Sequence, residues 1–222
     1  MVRLSFSEEN YIKAIYHLAQ EKKGKVSTNS IADVLSTKPA SVSDMLRKLN
    51  DKGVVIYKKY QGVDLTSKGR SLALRVIRKH RLWEVFLVEK LKFNWDQVHE
   101  VAEQLEHIRS PLLISRLDEF LQFPKYDPHG DPIPDENGEF VESPPILLPE
   151  FGVGKTGILI TIKDSSQAFL KYLDKLSIHP GAKIKVTEKI EYDGSMQVEI
   201  NGAKPIHISK EVSGNLLVTE EN

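Results

Sequence analysis

Seven of the eleven prolines in this 222-residue chain fall between Pro124 and Pro149, and no other feature limits the fold as much. Proline removes a backbone donor and is excluded from helix interiors. With Gly130, Gly138 and the carboxylates Asp127, Asp131, Asp135, Glu136, Glu139, Glu142 and Glu150, the stretch reads as an extended connector. It divides a helical N-terminal part from a C-terminal part of short alternating patterns. The whole exceeds the usual single domain of roughly 100–150 residues. No internal repeat is visible.

Ahead of the connector, Tyr11, Ile12, Ile15, Leu18 and Ala19 line one face of a helix. Ser5 or Ser7 can cap its start, and Glu8 stands three residues after Ser5, as a capping box requires. A short helix near Asn29–Leu35, announced by Ser27-Thr28, breaks at Ser36-Thr37-Lys38-Pro39. A second, about Ala40–Lys52, buries Val42, Met45, Leu46 and Leu49 and stops at Gly53. Two short helices joined by a tight turn form a helix-turn-helix. Val54–Tyr60 is β-prone, Gln61-Gly62 can turn, and Val63-Asp64-Leu65 can return. Thr66 or Ser67 then caps a long helix through about Leu91. This order predicts a winged helix, whose second short helix enters the DNA major groove while the ribbon flanks phosphates.

Charge agrees with that expectation. The formal net charge is +0, yet the first 76 residues hold 14 Lys/Arg against 7 Asp/Glu, so +7 is balanced by −7 in the remainder. Clustered cations suit a polyanion. The exposed face of the second short helix would present Ser41, Ser43, Asp44, Arg47 and Lys48, with Lys38 at its start and Lys58 and Lys59 on the wing. Hydroxyls reach phosphates or base edges, Arg47 suits phosphate or guanine, and the wing lysines suit phosphate. Asp44 repels phosphate and would have to face a base or a water. The plainer alternative is a winged helix used for protein contacts, with these charges merely solvated.

The residues that carry chemistry lie further on. His80 and Glu84, four apart, share a face of the long helix. A helix over roughly Trp95–His107 puts His99, Glu103, Glu106 and His107 within roughly a 100° arc. Imidazoles and carboxylates on two neighbouring helices are how helical bundles build metal sites. Surrounding Leu82, Val85, Phe86, Val98, Val101 and Leu105 make an apolar wall, in which carboxylates need a cation. There is no cysteine, which excludes disulfides, Fe–S clusters, thiolate zinc sites and cysteine nucleophiles. Nitrogen and oxygen donors alone suit Mn2+, Fe2+, Co2+, Ni2+ or Zn2+.

Several segments resemble the diphtheria-toxin-repressor family of metal-dependent transcriptional regulators: Glu9–Tyr16, Leu65–Gly69, Lys79–Glu84, His99–His107 and Pro128–Pro134. The H-x3-E followed by H-x3-E-x2-E-H is the specific part. The resemblance implies a homodimer with a winged-helix DNA-binding domain (1–74), a helical dimerisation and metal-binding domain with the Pro-rich connector (75–142), and an SH3-like barrel (143–222). It also implies two metal ions per subunit. By position, one site would use His80, Glu84 and His99; the other would use Glu103, Glu106, His107 and a first-helix group at Asn10, with Glu9 or a water as substitute. Iron-responding members carry cysteine where Glu103 stands, and glutamate suits Mn2+ better, leaving Fe2+ as the other choice. The family's barrel can lend ligands, and Asp164 and Gln167 have suitable spacing.

The C-terminal part reads as strands Ile158–Ile162, Lys183–Glu188, Gln197–Ile200, Pro205–Ser209 and Leu216–Val218, with turns at Asp193-Gly194 and Asn201-Gly202 and a helix over Gln167–Leu176. Residues 151–222 hold nine Lys and nine Asp+Glu, favouring interaction or regulation over DNA contact. No run approaches the roughly 18 apolar residues of a membrane span, and Met1–Glu9 lacks a signal peptide's apolar core. The expectation is a cytoplasmic, metal-activated repressor of a palindromic double-stranded DNA operator, not an enzyme. Rival readings are a dinuclear-metal hydrolase and a winged-helix sensor of an organic ligand.

Overall fold

The computed structural model describes residues 3–22, 25–59, 61–94, 97–140, 145–164 and 166–220. Ser5 Oγ accepts from the Glu8 N–H at 3.3 Å, and Glu8 Oε2 accepts from the Ser5 N–H at 2.7 Å. This reciprocal cap starts α1 (Phe6–Lys22). Ser27 caps α2 (Thr28–Val34) through the Ser30 N–H, and Pro39 opens α3 (Pro39–Asp51), where its missing donor costs nothing. The wing is β1 (Val55–Lys58) antiparallel to β2 (Gly62–Leu65). Tyr60, expected at the end of the first wing strand, lies outside the described residues. Ile12, Ile15, Ile31, Val42, Leu46, Leu49 and Val63 have no exposed area and form the centre of this winged helix. Each such side chain contributes about 1.5–3 kcal/mol by leaving water.

Thr66 caps α4 (Ser67–Glu89) through the Gly69 N–H. This helix serves two cores. Ala73, Leu74 and Ile77 close the winged helix, whereas Leu82, Trp83, Val85 and Leu87 pack with Val98, Ala102, Leu117 and Leu121 in a second cluster. That cluster includes α5 (Val98–Leu105) and α6 (Pro111–Phe120). The helix α5 is shorter than the sequence reading of Trp95–His107. Trp95 lies outside the described residues, and Glu106 is the C-cap, so His107 follows the last helical turn. The helix α6 was not read from the sequence, although Ser110 caps it through the Leu113 N–H and Pro111 is its first residue.

The Pro-rich segment corrects the expectation of an extended connector. Asp127 Oδ1 accepts from the N–H groups of His129 and Asp131, and Asp135 Oδ1 accepts from those of Asn137 and Glu139, folding two tight turns. Two arginines of α4 hold the chain between them: Arg78 donates to the Pro134 carbonyl at 2.7 Å and Arg81 to that of Pro132 at 2.5 Å. Arg78 also pairs with buried Asp118 of α6 at 2.5 Å. Prolines leave carbonyls unpaired, and the two guanidiniums use them. Residues 141–144 of this stretch are outside the described set.

The C-terminal part is a six-stranded antiparallel sheet in the order β3-β8-β4-β5-β6-β7. Its strands are β3 (Ile146–Leu147), β4 (Thr156–Ile162), β5 (Lys183–Lys189), β6 (Met196–Ile200), β7 (Ile206–Ile208) and β8 (Leu216–Glu220). Helix α7 (Gln167–Lys175) and the single turn α8 (Lys210–Ser213) complete it. Five of the strands and α7 match the sequence reading; β3 and α8 were not read. Phe151, Leu159, Ile184, Val198, Leu216 and Val218 form its own core. The sheet meets the Pro-rich turn tightly at Gly130. Gly130 has φ +85°, a Cβ there would lie 2.0 Å from Thr161 Cβ, and Thr161 Oγ1 donates to the His129 carbonyl.

Candidate metal centre

Alignment of α1, α4 and α5 brings imidazoles and carboxylates into one continuous chain. His80, on a buried turn of α4, lies at its middle: Nδ1 is 2.6 Å from Glu106 Oε2, and Nε2 is 3.0 Å from Glu84 Oε1 and 3.1 Å from His99 Nδ1. The His80 and His99 rings meet edge to face. His99 in turn stands 3.2 Å from Glu84 Oε1 and 3.4 Å from Glu103 Oε1. At the other end, His107 Nδ1 is 2.6 Å from Glu9 Oε2 of α1, and its ring stacks on Phe6.

Two triads have ligand atoms that all fall within 4.8 Å of one another: His80, Glu84 and His99, and Glu84, Asp127 and His129. Glu84 belongs to both, with Oε1 facing the helical histidines and Oε2 3.7 Å from His129 Nδ1. Asp127 and His129 come from the Pro-rich turn and were not on the sequence-derived list of ligands. Their signal was present in Pro128-His129-Gly130-Asp131, but an extended connector gave no reason to fold it onto α4.

Electrostatics mark the same groups. Burial pushes the Glu84 carboxyl up, but hydrogen bonds and charge from His129 and His80 outweigh it and hold it well below the usual range. Glu106 is treated likewise, burial being overcome by His80 and Lys13. His80 loses basicity to burial and regains more from Glu106 and Glu84, ending raised. Asp127 is pushed up to about 7 by burial and by the charges of Glu84 and Asp131, against the pull of Arg81. Arg81 Nε stands 3.4 Å from Asp127 Oδ2 and only partly offsets this crowding of buried carboxylates, a state that a metal ion relieves. A cavity of about 280 Å3 opens beside these groups, lined by His80, Glu84, His99, Asp127, His129 and Asp131 among others. With only nitrogen and carboxylate oxygen to offer, the set fits a divalent ion such as Mn2+ and disfavours thiophilic metals.

The second expected set is arranged differently. Glu106 is 1 % exposed and Glu103 is mostly exposed, and the ammonium of Lys13 stands between them, 2.6 Å from Glu106 Oε2 and 3.9 Å from Glu103 Oε1. His107 is engaged with Glu9. Asn10 is exposed, so the α1 group facing His107 is Glu9. Asp164 is half-buried and accepts from the Ser166 N–H at 2.8 Å, outside both triads; the Gln167 side chain lies outside the described residues.

Elsewhere in the winged helix, Lys38, Ser41, Asp44, Arg47 and Lys48 are exposed along α3, with Lys58 and Lys59 exposed on the wing. Arg47 donates to Asp44 Oδ1 at 3.1 Å, so the acidic charge on this face has a local partner. Ser43 is half-buried and spends its hydroxyl proton on the Pro39 carbonyl.

Three family models match the chain: the iron-dependent repressor N-terminal DNA-binding domain over 3–63, the iron-dependent repressor metal-binding and dimerisation domain over 66–135, and the FeoA domain over 146–220. The transcriptional regulator MntR of Bacillus subtilis is 36 % identical over 117 residues, 53 % of this chain and 81 % of that protein. MntR of Geobacillus thermodenitrificans is 36 % identical over 117 residues and 82 % of its length. A manganese-dependent transcriptional repressor solved in complex with manganese superposes with a TM-score of 0.64 at 34 % identity, covering 96 % of this chain and all of that one. ScaR with bound Zn2+ gives 0.58 at 31 % identity, covering 96 % and 99 %. Winged helix, helical metal-binding unit and FeoA sheet thus occur here in the order and with the residues that place this chain in the iron-dependent, or diphtheria-toxin, repressor family of metal-dependent transcriptional regulators.

Proposed function

We propose that this repressor is activated by Mn2+, binds two ions per subunit, and grips a palindromic double-stranded operator as a homodimer in the cytoplasm. The observation that carries the reading is that the donor chain crosses from the DNA-binding unit to the helical unit. Glu9 belongs to α1, His107 follows α5, and 2.6 Å separates their facing atoms. A divalent cation supplies the charge needed to draw such carboxylates together without protonation. Holding α1 against α5 sets the pose of α3, and in a dimer it sets the spacing of the two recognition helices. Only one spacing matches a given operator, so metal affinity and operator affinity become linked.

In the first site, His80, Glu84 and His99 are the helical donors, with Asp127 and His129 reaching Glu84 from the Pro-rich turn. In the second, Glu103, Glu106 and His107 act with Glu9 from α1 in place of Asn10. Asp164 and Gln167 are further candidates from the third unit (143–222). On the DNA side, Arg47 and Lys48 with Ser41 address the groove, and Lys38, Lys58 and Lys59 address phosphates. Mn2+ is favoured over Fe2+ by the all-oxygen and imidazole donor set and by the manganese-dependent relatives. Dimerisation is supported by Leu91, Leu112, Leu113, Phe120 and Phe123, exposed at the end of α4 and around α6. No helix among the described residues is long and apolar enough to cross a membrane. The family is one of repressors and not of enzymes, which sets the hydrolase reading aside.

Fluorescence anisotropy on a duplex selected from a random pool in the presence of Mn2+ tests the proposal. Affinity should fall at least about tenfold when EDTA replaces Mn2+, within the usual range of allosteric coupling. Equal affinity in both buffers refutes metal activation.

A further inference from the structure

Among the described residues of the DNA-binding unit, Lys13 is the cation that reaches into the donor chain, and its placement has a consequence for metal entry. Its ammonium donates to Glu106 Oε2 at 2.6 Å, stands 3.4 Å from His80 Nδ1, and is 3.9 Å from Glu103 Oε1. Its side chain is 14 % exposed, and that of Glu106 only 1 %. So Glu106 Oε2 is occupied by a charge from α1, while Glu106 Oε1 lies 3.8 Å from His107 Nε2, in a place where unpaired carboxylates are costly.

We propose that Lys13 is a tethered counter-cation that competes with the metal for Glu106, and that activation exchanges one α1–α5 bridge for another. In the metal-free protein the bridge is the Lys13–Glu106 ion pair. In the metal-loaded protein it runs from Glu9 through the second site to Glu106 and His107. The two bridges oppose each other, because an ammonium and a divalent ion on one carboxylate would sit only a few ångströms apart and repel in a dry site. The open cavity lined by Lys13, His17, Arg81, Asp127 and Asp131 gives the displaced side chain room beside two carboxylates that share the Arg81 guanidinium. Lys13 therefore sets the metal concentration at which the repressor switches. Its side chain need not be a ligand to do so, and the cost of its expulsion is part of the apparent metal affinity.

The inference rests on the second site proposed above, and the test separates the two. Free Mn2+ is followed by its EPR signal during titration of the wild type, Lys13→Met and Lys13→Arg. Removing the charge while keeping the stem should tighten the weaker class of Mn2+ sites by about tenfold or more, an effect of the size expected when opposed charges no longer have to be separated. Lys13→Arg, which keeps the cation, should show no tightening. Unchanged or weaker Mn2+ binding in a folded Lys13→Met protein overturns the competition. A wild type that takes up no Mn2+ removes the site itself, and the proposal with it.

A second measurement needs no charge-removing variant to fold. In 15N-labelled metal-free protein, one lysine ammonium should be protected from solvent exchange, assigned by its absence from the spectrum of Lys13→Arg. Diamagnetic Zn2+ sufficient to fill both sites of each subunit should abolish that protection. A signal that persists unchanged through saturation with Zn2+ overturns the exchange of bridges.

Discussion

The two ends of the imidazole–carboxylate chain are built from the same residue types and are in opposite states. Around Glu84, three histidines and Asp127 converge with no lysine or arginine hydrogen-bonded to the Glu84 carboxylate among the described contacts, and their atoms form two triads that share Glu84. Around Glu106, the donors are diverted: one oxygen faces His80 and Lys13, while His107 turns to Glu9. The difference follows from which elements supply each end. The Glu84 end draws on α4, α5 and the Pro-rich turn, all anchored in one core by Arg78 and Arg81. The Glu106 end depends on α1, which belongs to another core. A site shared between two cores can respond to their relative motion; one held within a single core cannot.

The comparison is broken most directly at the shared carboxylate. Glu84→Ala should weaken Mn2+ binding at the stronger class of sites by about 100-fold or more, as loss of a ligand at such a centre does, read by isothermal titration calorimetry. His129→Ala should act on that same class by about tenfold and leave the other class unaltered. If both classes weaken equally, the two ends are not independent.

At the other end, Glu9→Ala should weaken only the second class, by about tenfold, whereas Asn10→Ala should leave both unchanged within about twofold, the effect of losing a solvent-exposed side chain. The reverse order of the two variants would return the α1 ligand to Asn10. The smallest effect belongs to α1 itself. Glu8 caps the helix, and its buried carboxylate takes Lys52 at 2.6 Å. Burial opposes this ion pair, yet Lys52 and Ser5 win and hold its pKa below the ordinary 4.5. That stabilisation is present above the unfolded value and is lost as pH falls through the folded one. Glu8→Gln should cost about 1–2 kcal/mol near neutrality, measured by urea unfolding. The gap between variant and wild type should close as pH drops below 4.5. A gap that is constant down to acid pH would mean the carboxylate charge contributes nothing.

Local signals were legible where the partners are close in sequence. Ser5 with Glu8, Ser27 and Thr66 each announced a helix start that the structure contains, whereas Pro39, read as part of a break, is the first residue of α3. Helix α6 carries equal local signals in the Ser110 cap and in Pro111 at its first position. The Pro-rich segment is a different case. Proline content excludes helix correctly, but whether the chain stays extended depends on acceptors finding donors, and those are the guanidiniums of Arg78 and Arg81, about fifty residues away. Glu9 and Asn10 differ by roughly 100° around α1, and periodicity alone leaves both near the helical unit.

Residue order by itself determined the sequence of units, the winged helix and the stock of nitrogen and oxygen donors, because caps, turn residues and hydrophobic spacing act over a few positions. Tertiary packing alone decided that Asp127 and His129 join Glu84, that Glu9 and not Asn10 meets His107, and that Lys13 stands against Glu106. Those choices hinge on the crossing of helices and on pairings between distant charges, and no local pattern encodes the angle at which two helices meet.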